Sequence, residues 1–208
     1  MSKTADTEYP ILPCLAQRWS PRSFAEQAVE PEKLGALFEA ARWAASAFNE
    51  QPWRFVVASK DQPEDFARLL GCLVEANQAW AKAAPVLLIT VVADRFKRND
   101  KPNRCAEHDL GLAMGNLSAQ ATELGLVVHQ MAGIDQDKCV TELGIPDGYH
   151  AVTACAIGYA GDPAALPEDW MRDAETAKRD RNPFDDFFFG GTFGNSPSLF
   201  TGWSGGLH

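Results

Sequence analysis

An α+β domain, built as a sheet flanked by helices, is the fold class this sequence predicts. Three observations carry that expectation. Helical and strand-like stretches alternate along the chain as far as residue 159. The run Pro85-Val86-Leu87-Leu88-Ile89-Thr90-Val91-Val92-Ala93 is apolar at odd and even positions alike. It therefore reads as a central strand covered on both faces. Finally, 208 residues with 46% hydrophobic content supply a substantial core, and neither a repeat nor a linker divides them, so residues 1–208 are expected to form a single domain.

The elements follow in order. Residues 10–17 (PILPCLAQ) predict a short helix leading into Arg18. Pro31 sits where a helix favours its first residue, and Lys33–Ala45 continues it with Leu34, Leu37, Phe38 and Ala41 on one stripe. Trp53–Ser59 (WRFVVAS) predicts a strand, and Glu64–Trp80 one helix carrying Phe66, Leu69, Leu70 and Leu73 at helical spacing. After the apolar strand, residues 94–104 (DRFKRNDKPNR) form a polar loop. Cys105–Leu124 is the longest predicted helix, apolar along Leu110, Met114, Leu117, Ala121 and Leu124 and ended by Gly125. Its Gly111, Ala113, Gly115, Ser118 and Ala119 leave other faces nearly flat, open to another helix. Leu126–Met131 predicts a strand, Ala132-Gly133 a turn, and Asp135 the cap of a short helix stopping at Gly144. Ala151–Tyr159 is the last predicted strand. Beyond Gly161 the chain reads as irregular, ending in a tail with Phe184, Phe187, Phe188, Phe189, Phe193 and Phe200 that needs a surface to pack on.

The net charge of −9 argues against broad nucleic-acid binding, which needs a basic face. The basic residues are local exceptions on an acidic chain, an arrangement suited to one focused anionic ligand. No apolar run reaches membrane-spanning length, and the opening MSKTADTEYP lacks the apolar core of a signal peptide. Cys14, Cys72, Cys105, Cys139 and Cys155 are scattered, odd in number and without a C-x-x-C. They read as reduced packing thiols of a cytoplasmic protein.

Several chemistries lack their motif. Gly111-Leu112-Ala113-Met114-Gly115 lies inside a helix and joins no strand to it, so it is no dinucleotide fingerprint. A phosphate-loop motif, H-E-x-x-H and G-x-S-x-G are all missing, and Glu107, His108 and Asp109 point in three directions on a helix. What remains is a set of cations and amides. Arg18, Ser20 and Arg22 alternate along an extended stretch and can face one small anion, which arginine forks grip in pairs. Taken alone, R-x-S-x-R reads equally well as a solvated basic turn. Arg179 and Arg181 are a second cationic pair near the end, while Asn49 and Gln51 offer planar amides that suit the carbonyl and imide edge of a ring. A ligand with a phosphate at one end and a heteroaromatic ring at the other would use all of them.

At this point the chain resembles the FMN-dependent nitroreductase family. The resemblance rests on R-W-S-P-R-S-F at 18–24, A-A-S-A-F-N-E-Q-P-W-R-F-V-V at 44–57, A-P-V-L-L-I-T-V at 84–91, H-D-L-G-L-A-M-G-N-L at 108–117, Q-M-A-G-I-D at 130–135, G-I-P-D-G-Y at 144–149 and R-D-R-N-P at 179–183. No single piece is specific, but together they stand in family order over residues 16–194.

The resemblance implies a nitroreductase-like α+β fold with a central mixed β-sheet, in an intertwined homodimer with two FMN sites at the subunit interface. It places Arg18, Ser20 and Arg22 on the phosphate and ribityl chain, with Trp19 contributing through its backbone, and puts Arg179 and Arg181 near the phosphate. Ala45, Ser46, Ala47 and Asn49, from the other subunit, and Gln51 line the flavin in that scheme. Asn77 meets the pyrimidine edge, and Met131, Ala132 and Gly133 form the turn whose backbone faces the reacting nitrogen. Several members carry glutamate where this chain has Ala132. The implied activity is NAD(P)H-dependent reduction of a small-molecule electron acceptor, such as a nitroaromatic or quinone, by ping-pong kinetics and with no catalytic side chain. Two alternatives stand beside it: a specialised flavin enzyme of dehalogenase or dehydrogenase type, and a flavin-binding module without turnover.

Overall fold

A computed structural model describes residues 3–197. Phe200 and the tail from 198 onward lie outside the described residues. The chain runs α1 Pro13–Gln17, α2 Pro31–Arg42, β1 Trp53–Ser59, α3 Pro63–Gly71, α4 Glu75–Ala81, β2 Val86–Ala93, α5 Ala106–Glu123, β3 Val127–Met131, α6 Gln136–Leu143, β4 Tyr149–Gly158 and α7 Asp169–Thr176.

The strands form one sheet in the order β1-β2-β4-β3. β2 is central and buried at every position, as its two-faced apolar run requires. Along it, Val86, Leu88 and Val92 pack with Leu37 and Ala41 of α2 and Leu110, Ala113 and Leu117 of α5. Leu87, Ile89 and Val91 join the opposite core, with Phe66 and Leu69 of α3, Trp80 of α4 and Cys139 of α6. The molecule is thus helix layer, sheet, helix layer. At the bulge between Thr90 and Val91, buried Thr90 satisfies itself across the ladder: its Oγ1 donates to Thr153 O and accepts from Thr153 N, each at 3.0 Å.

Capping matches the expectations. Asp135 accepts the N–H of Lys138 at 3.0 Å to start α6, Gly144 ends it with φ 62°, and Gly125 closes α5 with φ 75°. Three features differ. Every strand pair among the described residues is antiparallel, where a mixed sheet was expected. The single helix expected over Glu64–Trp80 is two, because the turn after β3 draws the chain out between them. Asp135 N–H donates to Cys72 O at 2.8 Å, Leu73 bridges Ile134, and Val74 N–H donates to Gly133 O at 3.1 Å. Finally, the stretch after Gly161, expected to be irregular, contains α7, an amphipathic helix that buries Met171 and Glu175.

The aromatic tail is partly docked. Phe184 meets the ring of Tyr9 edge-on at 5.2 Å and that of Phe187 at 5.3 Å, whereas Phe193 is 93% exposed.

Candidate functional site

The arginine-bearing segment leaves α1 at Arg18 and runs extended beside the edge strand β3. Buried Pro21 fixes its position, since its carbonyl accepts Nδ1–H of His129 at 2.9 Å. The His129 ring lies 4.4 Å from that of Trp80. Burial, reinforced by the positive fields of Arg22 and Arg18, pushes the His129 imidazole down to about 4. Farther on, Arg22 N–H donates to Glu175 Oε1 at 2.8 Å, Ser23 Oγ donates to Asp162 O at 2.6 Å, and Phe24 bridges Ala160. Gly161 permits this crossing, because a Cβ there would lie 2.5 Å from the Phe24 carbonyl carbon.

The two cationic groups of the sequence converge. Arg18 Nη1 donates to Ser20 Oγ at 3.1 Å, and Arg179 Nη1 donates to Lys3 O at 2.6 Å and Ala16 O at 2.8 Å. Burial, with the adjacent charges of Arg179 and Arg181, lowers the Arg18 pKa; burial and Arg181 lower that of Arg179. Among the described residues, no guanidinium of Arg18, Arg22, Arg179 or Arg181 has a carboxylate oxygen within 4.0 Å. A cavity of about 820 Å³ opens beside them, lined by Arg18, Arg179, Arg181, Asn182, Tyr9 and Phe187 among others. Arg22 departs from the expected common direction: its guanidinium lies over the Trp170 ring, 5.1 Å from the centroid. Trp19 carries Lys3 over its ring at 4.9 Å.

The amide-bearing segment is built differently. Ala47–Asn49 is a single 3₁₀ turn leading toward β1. Phe48, Asn49 and Gln51 all take left-handed backbone, with φ of 55°, 58° and 50°. For non-glycine residues this costs roughly 1 kcal/mol or more each, and it persists only where the surroundings enforce it. Here Asp109, 2% exposed, accepts the N–H of Ala47 at 2.9 Å. Ser46 Oγ accepts Gln51 N–H at 3.0 Å, and Gln51 Nε2 donates to both oxygens of Asn49 at 3.0 Å. Arg54 donates to Gln51 O at 3.1 Å, which makes it a support for this segment. Ala45, Phe48 and Asn49 are exposed.

A third group gathers at the end of β3. Met131 is buried, Ala132 exposed, and Gly133 half-buried. Asn77 Nδ2 donates to Gly133 O at 3.2 Å, and a Cβ at Gly133 would meet Asn77 and Val74 at 2.7 Å. Asn77 and the 131–133 turn, far apart in sequence, are therefore neighbours. The segments 18–22 and 45–51 are not: one follows the β3 edge of the sheet and the other leads into β1 at the opposite edge.

Sequence reasoning missed the residues that hold these groups. Glu175 belongs to a helix whose Trp170, Met171 and Ala174 spacing was there to be read. His129 gave no signal, having no spacing partner. Asp109 reads in the sequence as a metal-ligand candidate and part of a family motif, whereas an aspartate between Ala106 and Leu110 on the buried face of a helix marks a polar anchor.

The model of the nitroreductase family matches residues 15–159. The chain belongs to the nitroreductase family. A crystal structure of an oxidoreductase containing FMN superposes with a TM-score of 0.86 at 39% identity, over 94% of this chain and 99% of its own. An uncharacterized 15.4 kDa protein in the ask 5′ region of Mycolicibacterium smegmatis is 33% identical over 132 residues, 64% of this chain and 86% of its own length. The major NAD(P)H-flavin oxidoreductase of Aliivibrio fischeri is 26% identical over 196 residues, covering 73% of this chain and 88% of that protein. The family match ends before Arg179, so the second cationic pair rests on its geometry. No helix among the described residues is long and apolar enough to cross a membrane.

Proposed function

We propose that this nitroreductase-family chain is an FMN-dependent oxidoreductase that takes hydride from NAD(P)H and passes the electrons to a small acceptor, such as a nitroaromatic or a quinone, by a ping-pong mechanism. The observation that carries the reading is the convergence of Arg18, Arg179 and Arg181 without a carboxylate counter-ion, beside Ser20. Like charges held together, with Arg18 and Arg179 half-buried and Arg181 exposed, favour a dianion between them, and an FMN phosphate fits that demand. The 39%-identical solved relative, which contains FMN, supports the same choice of group.

When bound, FMN supplies the hydride-accepting and electron-passing chemistry. The chain binds and orients. In this reading Arg18, Ser20, Arg179 and Arg181 take the phosphate, with Arg22 and the backbone of Trp19 lining the adjoining chain. Asn49, Gln51 and Asn77 offer amides to the ring edge, Ala45, Ser46 and Ala47 line its plane, and the main chain of Met131, Ala132 and Gly133 borders the reacting side. Ala132 brings no proton to that place. The acceptor and the nucleotide use the same face in turn, which gives the ping-pong order.

The separation of the 45–51 and 18–22 segments at opposite sheet edges supports a homodimer, in which each subunit completes the other's site. The exposed strip of Gly111 and Gly115 on α5, where an added Cβ would meet nothing within 4 Å, offers a close-packing face with Leu112 beside it.

The test is an anaerobic titration. The purified protein should take up FMN with a Kd of about 1 μM or tighter, bleach on adding NADH or NADPH, and recolour with a quinone. A protein that holds FMN but bleaches with neither nucleotide would be a binding module, and the catalytic reading would be wrong.

A further inference from the structure

The basic loop 94–104 does not stand free. Buried Glu50 accepts the N–H of Lys97 at 2.8 Å and that of Arg98 at 3.4 Å, tying the loop to the 45–51 segment. At its base Asp94 Oδ1 meets His150 Nδ1 at 2.5 Å, while the Asp94 carbonyl accepts Asn103 N–H at 2.7 Å. Arg95 pairs with Asp100 at 2.9 Å and bridges Pro102, which closes the loop as a small hairpin.

At the junction, the Arg98 guanidinium lies over the Phe48 ring, 3.5 Å from its centroid, with Phe96 at 5.6 Å. Phe48 is 69% exposed, and its left-handed backbone, φ 55°, turns the ring outward under that cation. A guanidinium stacked on an aromatic face keeps its charge and its N–H edge, and the ring fixes the plane in which it meets oxygens. The loop carries five basic residues against two aspartates on a chain of net charge −9. Of these, Lys97, Lys101 and Arg104 are also exposed. A guanidinium oriented in this way, among other cations of the loop, suits an oxyanion ligand.

We propose that Arg98, held on Phe48, binds the 2′-phosphate of NADPH and makes NADPH the preferred hydride donor. This rests on the proposed function, because it is the flavin-lining place of 45–51 that sets the loop beside the donor's approach. Neutral nitroaromatic and quinone acceptors bring no phosphate, so the anionic reactant is the nucleotide. NADH and NADPH differ only in a phosphate monoester, the dianion such a site distinguishes best.

The experiment uses the FMN-loaded protein, with flavin bleaching by each nucleotide followed without air in wild type, Arg98→Ala and Arg98→Lys. Wild type should favour NADPH in kcat/KM. Arg98→Ala should lose about ten- to hundredfold with NADPH and change little with NADH, and Arg98→Lys should fall between. Calorimetry with adenosine 2′,5′-bisphosphate and with 5′-AMP gives an arm independent of turnover: Arg98→Ala should weaken the first and leave the second unchanged. If wild type shows no preference, or if Arg98→Ala lowers NADH and NADPH alike, the assignment is overturned. If neither nucleotide bleaches the flavin, the functional reading fails. Calorimetry then decides alone, and unchanged bisphosphate affinity in Arg98→Ala would overturn the site.

Discussion

The segments 18–22 and 45–51 both belong to the proposed flavin site, yet they are held by opposite means. The first has relaxed, extended backbone and depends on distant partners: His129 on β3, Glu175 on α7, and Arg179 beyond it. The second is strained at Phe48, Asn49 and Gln51 and is clamped by two buried carboxylates, Asp109 and Glu50. The difference teaches how each place is specified. Cations that gather in one place repel one another, and here the chain brings them in from far apart on firm backbone. Amides proposed to present their edges to a flat ring take unusual backbone directions, and local strain with nearby carboxylates provides these.

The largest way to break the contrast is at the strained segment. Asp109→Ala removes the acceptor of the Ala47 N–H and leaves a cavity at a 2% exposed position. It should cost about 2–3 kcal/mol of unfolding free energy, measured by denaturant titration, and raise amide exchange across residues 45–51 while sparing 18–22. Equal exchange in both segments would show that they share one support.

His129 sharpens the other side. Its folded pKa of about 4 lies below the ordinary 6.5, so its contribution to stability is fully present above pH 6.5 and is lost as pH falls through 4. Acid should therefore loosen the 18–22 segment first. His129→Gln should flatten the pH dependence of stability between pH 6.5 and 4, and an unchanged profile would remove the imidazole from that role.

The smallest expected effect is at Glu175, whose carboxyl is pushed up by burial although it accepts the Arg22 N–H. A raised acid pKa gives stability that is present below the unfolded value of 4.5 and lost as pH rises through the folded one. Glu175→Gln keeps the acceptor without the charge. Relative to wild type it should gain stability between pH 4.5 and 7, and a difference independent of pH would contradict the burial argument.

Much of this was legible in the sequence, for physical reasons. Val86–Ala93 had to be central because both its faces are apolar, and Asp135, Gly125 and Gly144 signalled helix ends by side-chain acceptor and left-handed backbone. The break between α3 and α4 was not legible, because Leu73 sits at helical spacing while the force that breaks the helix is a bridge to Ile134, 61 residues on. Nor was the direction of Arg22, which alternation aligns with Arg18 but Trp170 captures. Local periodicity records which side chains share a face; it carries nothing about a partner such as Trp170, supplied by a helix 148 residues away.

The measurement that bears most directly on the central claim compares FMN with riboflavin, which differ by the phosphate alone, in wild type and Arg18→Ala. If the Arg18, Arg179 and Arg181 cluster is the phosphate site, wild type should bind FMN far more tightly than riboflavin. Arg18→Ala should weaken FMN by about ten- to hundredfold while leaving riboflavin nearly unchanged. The same ratio of FMN to riboflavin affinity in both proteins would contradict the account, because the phosphate would then be held elsewhere.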